Sequence, residues 1–409
     1  MNPIAVLKRF FASFDQSTHM LGEIRDEIGN LAAVIDRRLK HGSAAEPSSI
    51  AAHNADALVR RPIPTEPLGP SSAKSGTPLY QRRKIEEVND LASYVHAFDG
   101  LTPYSGVPKQ GFYPDWTGAM TDAMFREWTG MKRDEVGGKH IETRLPTMAD
   151  GEGWFESIDS VEAAREANGR FVMVTLGACY GAQAVGSYRV LQQLNPMPCK
   201  LVAVEPEPDN LKWVRQHFLD NGINPDDHWI VGSAISDTRQ PVFFPVGAPG
   251  TGAQNSFSTN EPAARENYVK ALSSSRQRDE ALKNLLLSNS TGLMKNLTGD
   301  GKFNAEIKLV SAVTLDDILS PFDLVDYLEV DIQQSEIIVI PPFMNLLKRK
   351  VRRIHLGTHG KDVHSKLLNL FRREGWDIIF TYAPNTDFET PYGNFSMNDG
   401  VLTVRNPDL

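Results

Sequence analysis

The chain has 409 residues, is 41% apolar and 23% charged, and carries a formal net charge of −8. That length holds one large domain or two ordinary ones with linkers, and the composition is that of a soluble globular protein. The acidic balance argues against a nucleic-acid partner. Cys179 and Cys199 form no CxxC pair, which excludes a disulfide framework and fits a reducing compartment. No apolar run approaches the roughly 18–20 residues of a membrane span. The start, "MNPIAVLKRFFASF", has too short an apolar stretch before Lys8 and Arg9 for a signal peptide, so a cytoplasmic location is expected.

Residues 1–40 read as a helix of their own. Leu7, Phe10, Phe14, Leu21, Ile24, Ile28, Leu31 and Ile35 follow a 3,4 spacing, a narrow seam of the coiled-coil kind. Homo-oligomerisation through this segment is expected. Residues 41–78 are rich in Pro, Ser and Ala without periodicity and read as a flexible linker. An extension over 79–156 follows, with helices expected at 86–98 and 118–131. Between them lies the aromatic, turn-rich 104–116, placed as an acceptor-side cap.

From 157 to 409 strands and helices alternate. Strand "RFVMVTL" runs into the glycine loop "GACYG" and a helix. Strand "KLVAVEP" ends at Glu205, and a helix follows with Pro208 in its first turn. "HWIVGSAIS" is a third strand. A less regular insertion over 241–305 interrupts. The series resumes with "VDYLEVDI", helical "QQSEIIVIPPFMNLLK", "VRRIHLGTH" and a helix, and closes with the strands "WDIIFTY" and "NDGVLTVRN". This pattern predicts an α/β fold: a doubly wound, mostly parallel, Rossmann-like sheet with an antiparallel C-terminal strand pair at its edge. Ligands of such sheets bind outside the carboxyl ends of the strands, so residues there carry the chemistry.

Gly177 and Gly181 permit a tight strand-to-helix turn and close approach of a ligand to backbone N–H groups. Their G-x-x-x-G spacing lacks the G-x-G-x-x-G of a dinucleotide site, which weighs against an NAD-dependent nucleotide-sugar oxidoreductase or epimerase. Glu205 is placed to accept both ribose hydroxyls of an adenosine moiety. Glu207 and Asp209 beside it read as ordinary solvated acids. Asp331 can attract a cationic sulfonium or take a proton from a hydroxyl, and Glu329 shares its strand face. Glu336 reads as a helix-dipole residue. His355 and His359 share a face of the fifth strand, and His359 is the nearer to the crevice, where imidazole can act as a base. Together with His364 these histidines lack a fitting carboxylate spacing, so no metal is expected.

The blocks "TLGACYGAQAVG", "VAVEPEPDNLKWVRQHFLDNGI", "VTLDDIL", "LEVDIQQSE" and "RRIHLGTHG" resemble the FkbM family of methyltransferases over roughly 170–385. The resemblance implies a class I methyltransferase sheet, S-adenosyl-L-methionine as cofactor, and O-methylation of a sugar, glycan or related small-molecule hydroxyl. It implies cofactor contacts at Thr175, Gly177, Ala178, Gly181, Glu205 and Asp331, with Ser233 and Ala234 flanking the adenine. His359 or Asp331 is the expected catalytic base. Gln254, Asn255 and Ser256 in the insertion are placed on the acceptor. Thr175, Cys179 and Gln334 depart from the family pattern of an acidic residue, Asn or Gly, and Gly. Those departures leave a second reading, a catalytically weakened methyltransferase fold serving as a scaffold or binding subunit.

Overall fold

A computed structural model describes residues 88–129, 131–246 and 306–409. The expected coiled coil at 1–40, the linker at 41–78, and Gln254, Asn255 and Ser256 lie outside the described residues.

Seven strands form the central sheet: β1 (Phe171–Leu176), β2 (Cys199–Val204), β3 (Trp229–Val231), β4 (Val325–Val330), β5 (Val351–Thr358), β6 (Asp377–Tyr382) and β7 (Gly400–Arg405). Their order is β6-β7-β5-β4-β1-β2-β3. The pairs β5/β4, β4/β1, β1/β2 and β2/β3 are parallel, whereas β7 runs antiparallel to both β5 and β6. The antiparallel strand pair is therefore present, but β7 is inserted inside the sheet and β6 forms its margin. Asn89 covers that margin: its side chain accepts from the Thr381 N–H at 2.7 Å and donates to the Thr381 carbonyl at 3.2 Å. An edge strand closed in this way offers fewer free backbone groups for unwanted pairing.

Among the described residues seven α-helices accompany the sheet: α1 (Glu152–Glu166), α2 (Ala182–Leu194), α3 (Pro208–Asp220), α4 (Leu315–Leu319), α5 (Glu336–Val339), α6 (Met344–Lys350) and α7 (Lys361–Arg373). Strand residues alternate between two apolar layers, as the period of two demands. Phe171, Met173 and Tyr327 join α1 and α2 in one layer. Val172, Val174, Leu176, Leu328 and Val330 join the α4–α7 side in the other. The continuous run expected at 334–348 is broken into α5, a single turn at Pro341–Phe343 and α6. Pro341 and Pro342 supply no N–H and stop α5.

Four other elements differ from expectation. Residues 118–131 open with a strand, Met120–Asp122, paired with Phe112–Pro114, before a short 3₁₀ stretch at Ala123–Thr129. The helix expected at 86–98 is a 3₁₀ turn at Leu91–Tyr94 where described. The third strand divides after Val231: Ala234–Ile235 leaves the sheet and pairs with Ala312–Val313. The connection between β6 and β7 contains a hairpin, Thr386–Thr390 with Gly393–Met397. At the borders of the insertion, Val242–Val246 and Glu306–Val310 form an antiparallel ladder.

Candidate active site

The carboxyl ends of β1, β2 and β4 converge on an open pocket lined by Gly177, Glu205, Ala234, Phe244, Asp331 and Gln333, among others. Gly177 is at φ +85, and a Cβ there would lie 1.9 Å from the Asp331 carbonyl oxygen. No other residue fits between β1 and β4 at this crossing. Cys179 also has positive φ, at +50, and the loop ends on Gly181, the N-terminal cap of α2. The glycine loop is thus a formed βα turn, with its backbone drawn against the ends of the two neighbouring strands.

Glu205 is buried at the end of β2. Its two carboxylate oxygens accept from the Cys179 N–H at 2.7 Å and from the Glu207 N–H at 2.8 Å. Burial pushes its carboxyl up to about 8, and the two backbone donors only partly oppose that. Oε1 also accepts a long bond from the Asn210 side-chain amide at 3.5 Å, whereas Oε2 keeps lone-pair capacity for a further donor. Glu207 is no solvated loop acid: it caps α3 by accepting from the Asp209 and Asn210 N–H groups.

On the other side of the pocket Asp331 is half-exposed, and its backbone N–H donates to the Leu176 carbonyl. Its Oδ1 lies 3.1 Å from His359 Nε2, and His359 Nδ1 lies 2.9 Å from Glu336 Oε1. The amide end of Gln333 also reaches His359, at 2.7 Å. Burial would lower the imidazole, but Glu336 and Asp331 hold it well above its usual range. Burial would likewise raise Asp331, yet the His359 contact and Gln333 keep it below the ordinary carboxylate range. Glu336 is therefore more than a dipole residue, since it fixes the histidine that fixes Asp331. The sequence signal available for this was the Asp331-to-Glu336 spacing at the start of a helix.

Not every expected site residue faces this pocket. Thr175 is buried, opposite Glu329 in the β1/β4 register, and its hydroxyl donates to the Glu329 carboxyl. Burial, then Asp331, push that carboxyl well up. An acid at 175 would stand directly against Glu329, which gives the departure at Thr175 a physical reason. Ala178 is packed into the apolar core rather than the pocket wall. Ser233 is turned to Ser311, 2.8 Å between hydroxyl oxygens, whereas Ala234 does line the pocket. His364 bridges Thr358 and Thr381 at 2.8 and 2.9 Å, and burial holds it down at about 4. Of the aromatic segment at 104–116, Phe112 is buried and Trp116 packs against the core.

A second polar group lies beneath α1, which packs over β4, β5 and β7. Ligand atoms of Glu152, Glu156 and His355 lie within 4.8 Å of one another. His355 Nδ1 is 2.8 Å from Asp159 Oδ2, and Thr403 donates to the same oxygen at 2.6 Å. The sequence reading missed these acids of α1, although Glu152, Glu156 and Asp159 fall on one helical face.

Residues 177–375 match the family model described as the methyltransferase FkbM domain. That match covers just under half of the chain. As an enzyme it is a methyltransferase. Two of the similar solved structures are bacterial. One is a precorrin-6y C5,15-methyltransferase from Geobacter metallireducens GS-15, at 9% identity and TM-score 0.31, covering 64% of this chain and 92% of that one. The other is the methyltransferase FkbM from Methylobacillus flagellatus KT, at 12% identity and TM-score 0.31. That match covers 61% of this chain and 54% of the other, so this chain spans about half of that relative's length. A human methyltransferase 10 domain containing protein matches at 10% identity and TM-score 0.28, covering 64% of this chain and 83% of that one. No curated protein matches the sequence. Among the described residues of the methyltransferase, no helix is long and apolar enough to cross a membrane.

Proposed function

We propose that the protein is an S-adenosyl-L-methionine-dependent O-methyltransferase acting on a hydroxyl of a sugar, glycan or related small molecule. The observation that carries this is the pairing of Glu205 and Asp331 across one pocket, each carboxylate held by partners on its far side. The donor set fits the cofactor. Glu205 offers acceptors for a ribose diol, Ala234, Ile235 and Phe244 offer apolar surface for a purine, and Asp331 offers a negative charge. Bound there, the cofactor supplies an electrophilic methyl group on a sulfonium.

The chain's own residues would act mainly by alignment. Holding two reactants in line is worth on the order of 7–11 kcal/mol, so no covalent enzyme intermediate is required. Between the two expected bases, the geometry favours Asp331. His359 is nearly fully buried and engaged on both ring nitrogens, with Glu336 on one and Asp331 on the other. Asp331 is half-exposed, ionised and aimed by that imidazole, so it is the group that can accept an acceptor hydroxyl's hydrogen bond. His359 then serves as a positioning residue. A base of this kind contributes roughly 10²–10⁴-fold.

The test is incubation of the purified protein with methyl-labelled cofactor and a panel of hydroxylated glycans and small molecules. Label should move to an acceptor oxygen, and Asp331→Asn should slow that transfer while leaving binding of S-adenosylhomocysteine in place. Failure of calorimetry to detect binding of either adenosyl compound would end this reading and leave the scaffold alternative. Tight binding of NAD in their place would point to the oxidoreductase class.

A further inference from the structure

We propose that Glu152, Glu156 and His355 form a binding site for one divalent first-row metal ion, at the α1–β5 contact beside the methyl-transfer pocket. The first observation is placement: one ligand atom from each residue lies within 4.8 Å of those of the other two. Metal–oxygen and metal–nitrogen bonds of about 2.0–2.2 Å put two ligands of one ion at most about 4.4 Å apart. That ceiling belongs to a trans pair; three ligands of one tetrahedral ion stand about 3.4 Å apart, so rotation of both glutamate side chains toward His355 is what closes the set.

The second observation is independent of the acids. His355 is 1% exposed, its Nδ1 is held by Asp159, and its Nε2 is buried with no hydrogen-bond partner. A buried imidazole nitrogen left without a partner is costly. The carboxylate–histidine arrangement that leaves it free is the one by which proteins fix the tautomer and orientation of a metal-ligating imidazole. Thr403 donates to the same Asp159 oxygen, and Arg353 Nη1 reaches the other at 3.0 Å. The orienting carboxylate is thus itself fully anchored.

Sequence spacing builds the ligand set. Glu152 and Glu156 are one helical turn apart on α1, and Asp159 follows on the same face. β5 contributes His355, and two residues on, Gly357 keeps the space open. A Cβ there would stand 3.1 Å from Glu152 Oε1 and 3.7 Å from the Asp331 carboxyl carbon. Burial and the neighbouring carboxylates push Glu152 and Glu156 up, which is the electrostatic situation that a dication relieves.

Two carboxylates and one imidazole suit manganese, iron or zinc better than a soft-ligand ion. Three protein ligands leave positions for oxygen donors. Water fills them in the resting protein. That an acceptor hydroxyl also does so rests on the proposed methyl transfer, but uptake of the ion does not, so the two readings fail separately.

Untagged full-length protein titrated with MnCl₂, with free Mn²⁺ followed by electron paramagnetic resonance, should take up one ion, displaced by Zn²⁺. Glu156→Gln should weaken this uptake by about 10–100-fold, the effect typical of losing a supporting group, or more. Glu152→Gln, half-exposed at the start of α1, is the second variant and should act in the same direction. Failure of the wild-type protein to take up Mn²⁺ or Zn²⁺ at millimolar concentration would overturn the site. So would undiminished uptake by the Glu152→Gln, Glu156→Gln double variant.

Discussion

Glu205 and Asp331 sit at the ends of strands in one sheet, line the same pocket, and are perturbed in opposite directions. Glu205 meets only neutral donors, two backbone N–H groups and the Asn210 side-chain amide, so burial dominates and its carboxyl rises to about 8. Asp331 meets a histidine held in turn by Glu336, and that contact overrides burial. Two strand-end acids of similar appearance in sequence are thus prepared differently. One is suited to accept neutral hydroxyls, and the other is kept charged at neutral pH. The distinction comes from what stands behind each carboxylate rather than from its position on the strand.

The most forceful way to break the comparison is to remove one side. At pH 9, where the Glu205 carboxyl is ionised, Glu205→Ala should weaken S-adenosylhomocysteine binding by roughly 10²-fold or more, since hydrogen bonds to a charged group are worth about 1.5–3 kcal/mol each. Calorimetry that finds normal affinity would remove Glu205 from the ribose contact. Asp331→Asn should instead leave affinity nearly unchanged and lower kcat by about 10²–10³-fold, within the range for a lost base. A loss confined to affinity would reverse the roles assigned to the two acids.

pH sharpens the contrast without mutation. If the ionised Glu205 is the binding form, affinity for the adenosyl ligand should rise by roughly thirtyfold between pH 6.5 and 9, as its group near 8 loses its proton. A flat profile, or the same slope in Glu205→Gln, would count against this. The sign for stability is opposite. The folded group's value is raised from 4.5 to about 8, so the folded state binds more protons in that window. Its contribution to stability of the cofactor-free protein is full below about 4.5 and is lost as pH rises through 8. Asp331, with a lowered value, contributes stability above its ordinary range of 3.8 and loses it only on further acidification.

The smallest effect concerns the turn after Asp331. Gln333 and Gln334 both have positive φ, at +52 and +75. Side chains in this region cost roughly 1–2 kcal/mol per residue, part of which a glycine returns as unfolded-state entropy. Gln334→Gly should therefore raise stability by about 0.5 kcal/mol, readable as a small increase in Tm. A decrease would mean that the Gln334 side chain holds the turn more strongly than its backbone conformation strains it.

Much of the sheet was legible because buried parallel strands are continuous apolar runs bounded by glycine and polar residues. "RFVMVTL", "KLVAV" and "VDYLEV" could be read in that way, and the strand-end rule then singled out Glu205 and Asp331. The place of β7 was not legible, because insertion between β5 and β6 is decided by pairing across the sheet and leaves no local trace. The same limit applies to Thr175, whose meaning depends on Glu329 in the neighbouring strand, and to Ser233, whose orientation depends on Ser311. Glu336 and Glu207 looked like ordinary surface acids because their partners are a histidine 23 positions away and two backbone N–H groups. The cluster under α1 was missed for a related reason: its acids and its histidine are separated by about two hundred positions of chain.

The ladder of Val242–Val246 with Glu306–Val310 clamps the two ends of the intervening chain side by side. For a tether already closed at its base, entropy grows only logarithmically with length, about 0.6 kcal/mol for each doubling. Evolution, or an engineer, can therefore lengthen, shorten or exchange that segment while leaving the seven-stranded sheet intact. The clamp is also not remote from the chemistry, because Phe244 in its first strand is part of the pocket wall. A graft that shifts the clamp by one residue would exchange the face on which Phe244 lies, so register, rather than length, is what such a graft must preserve.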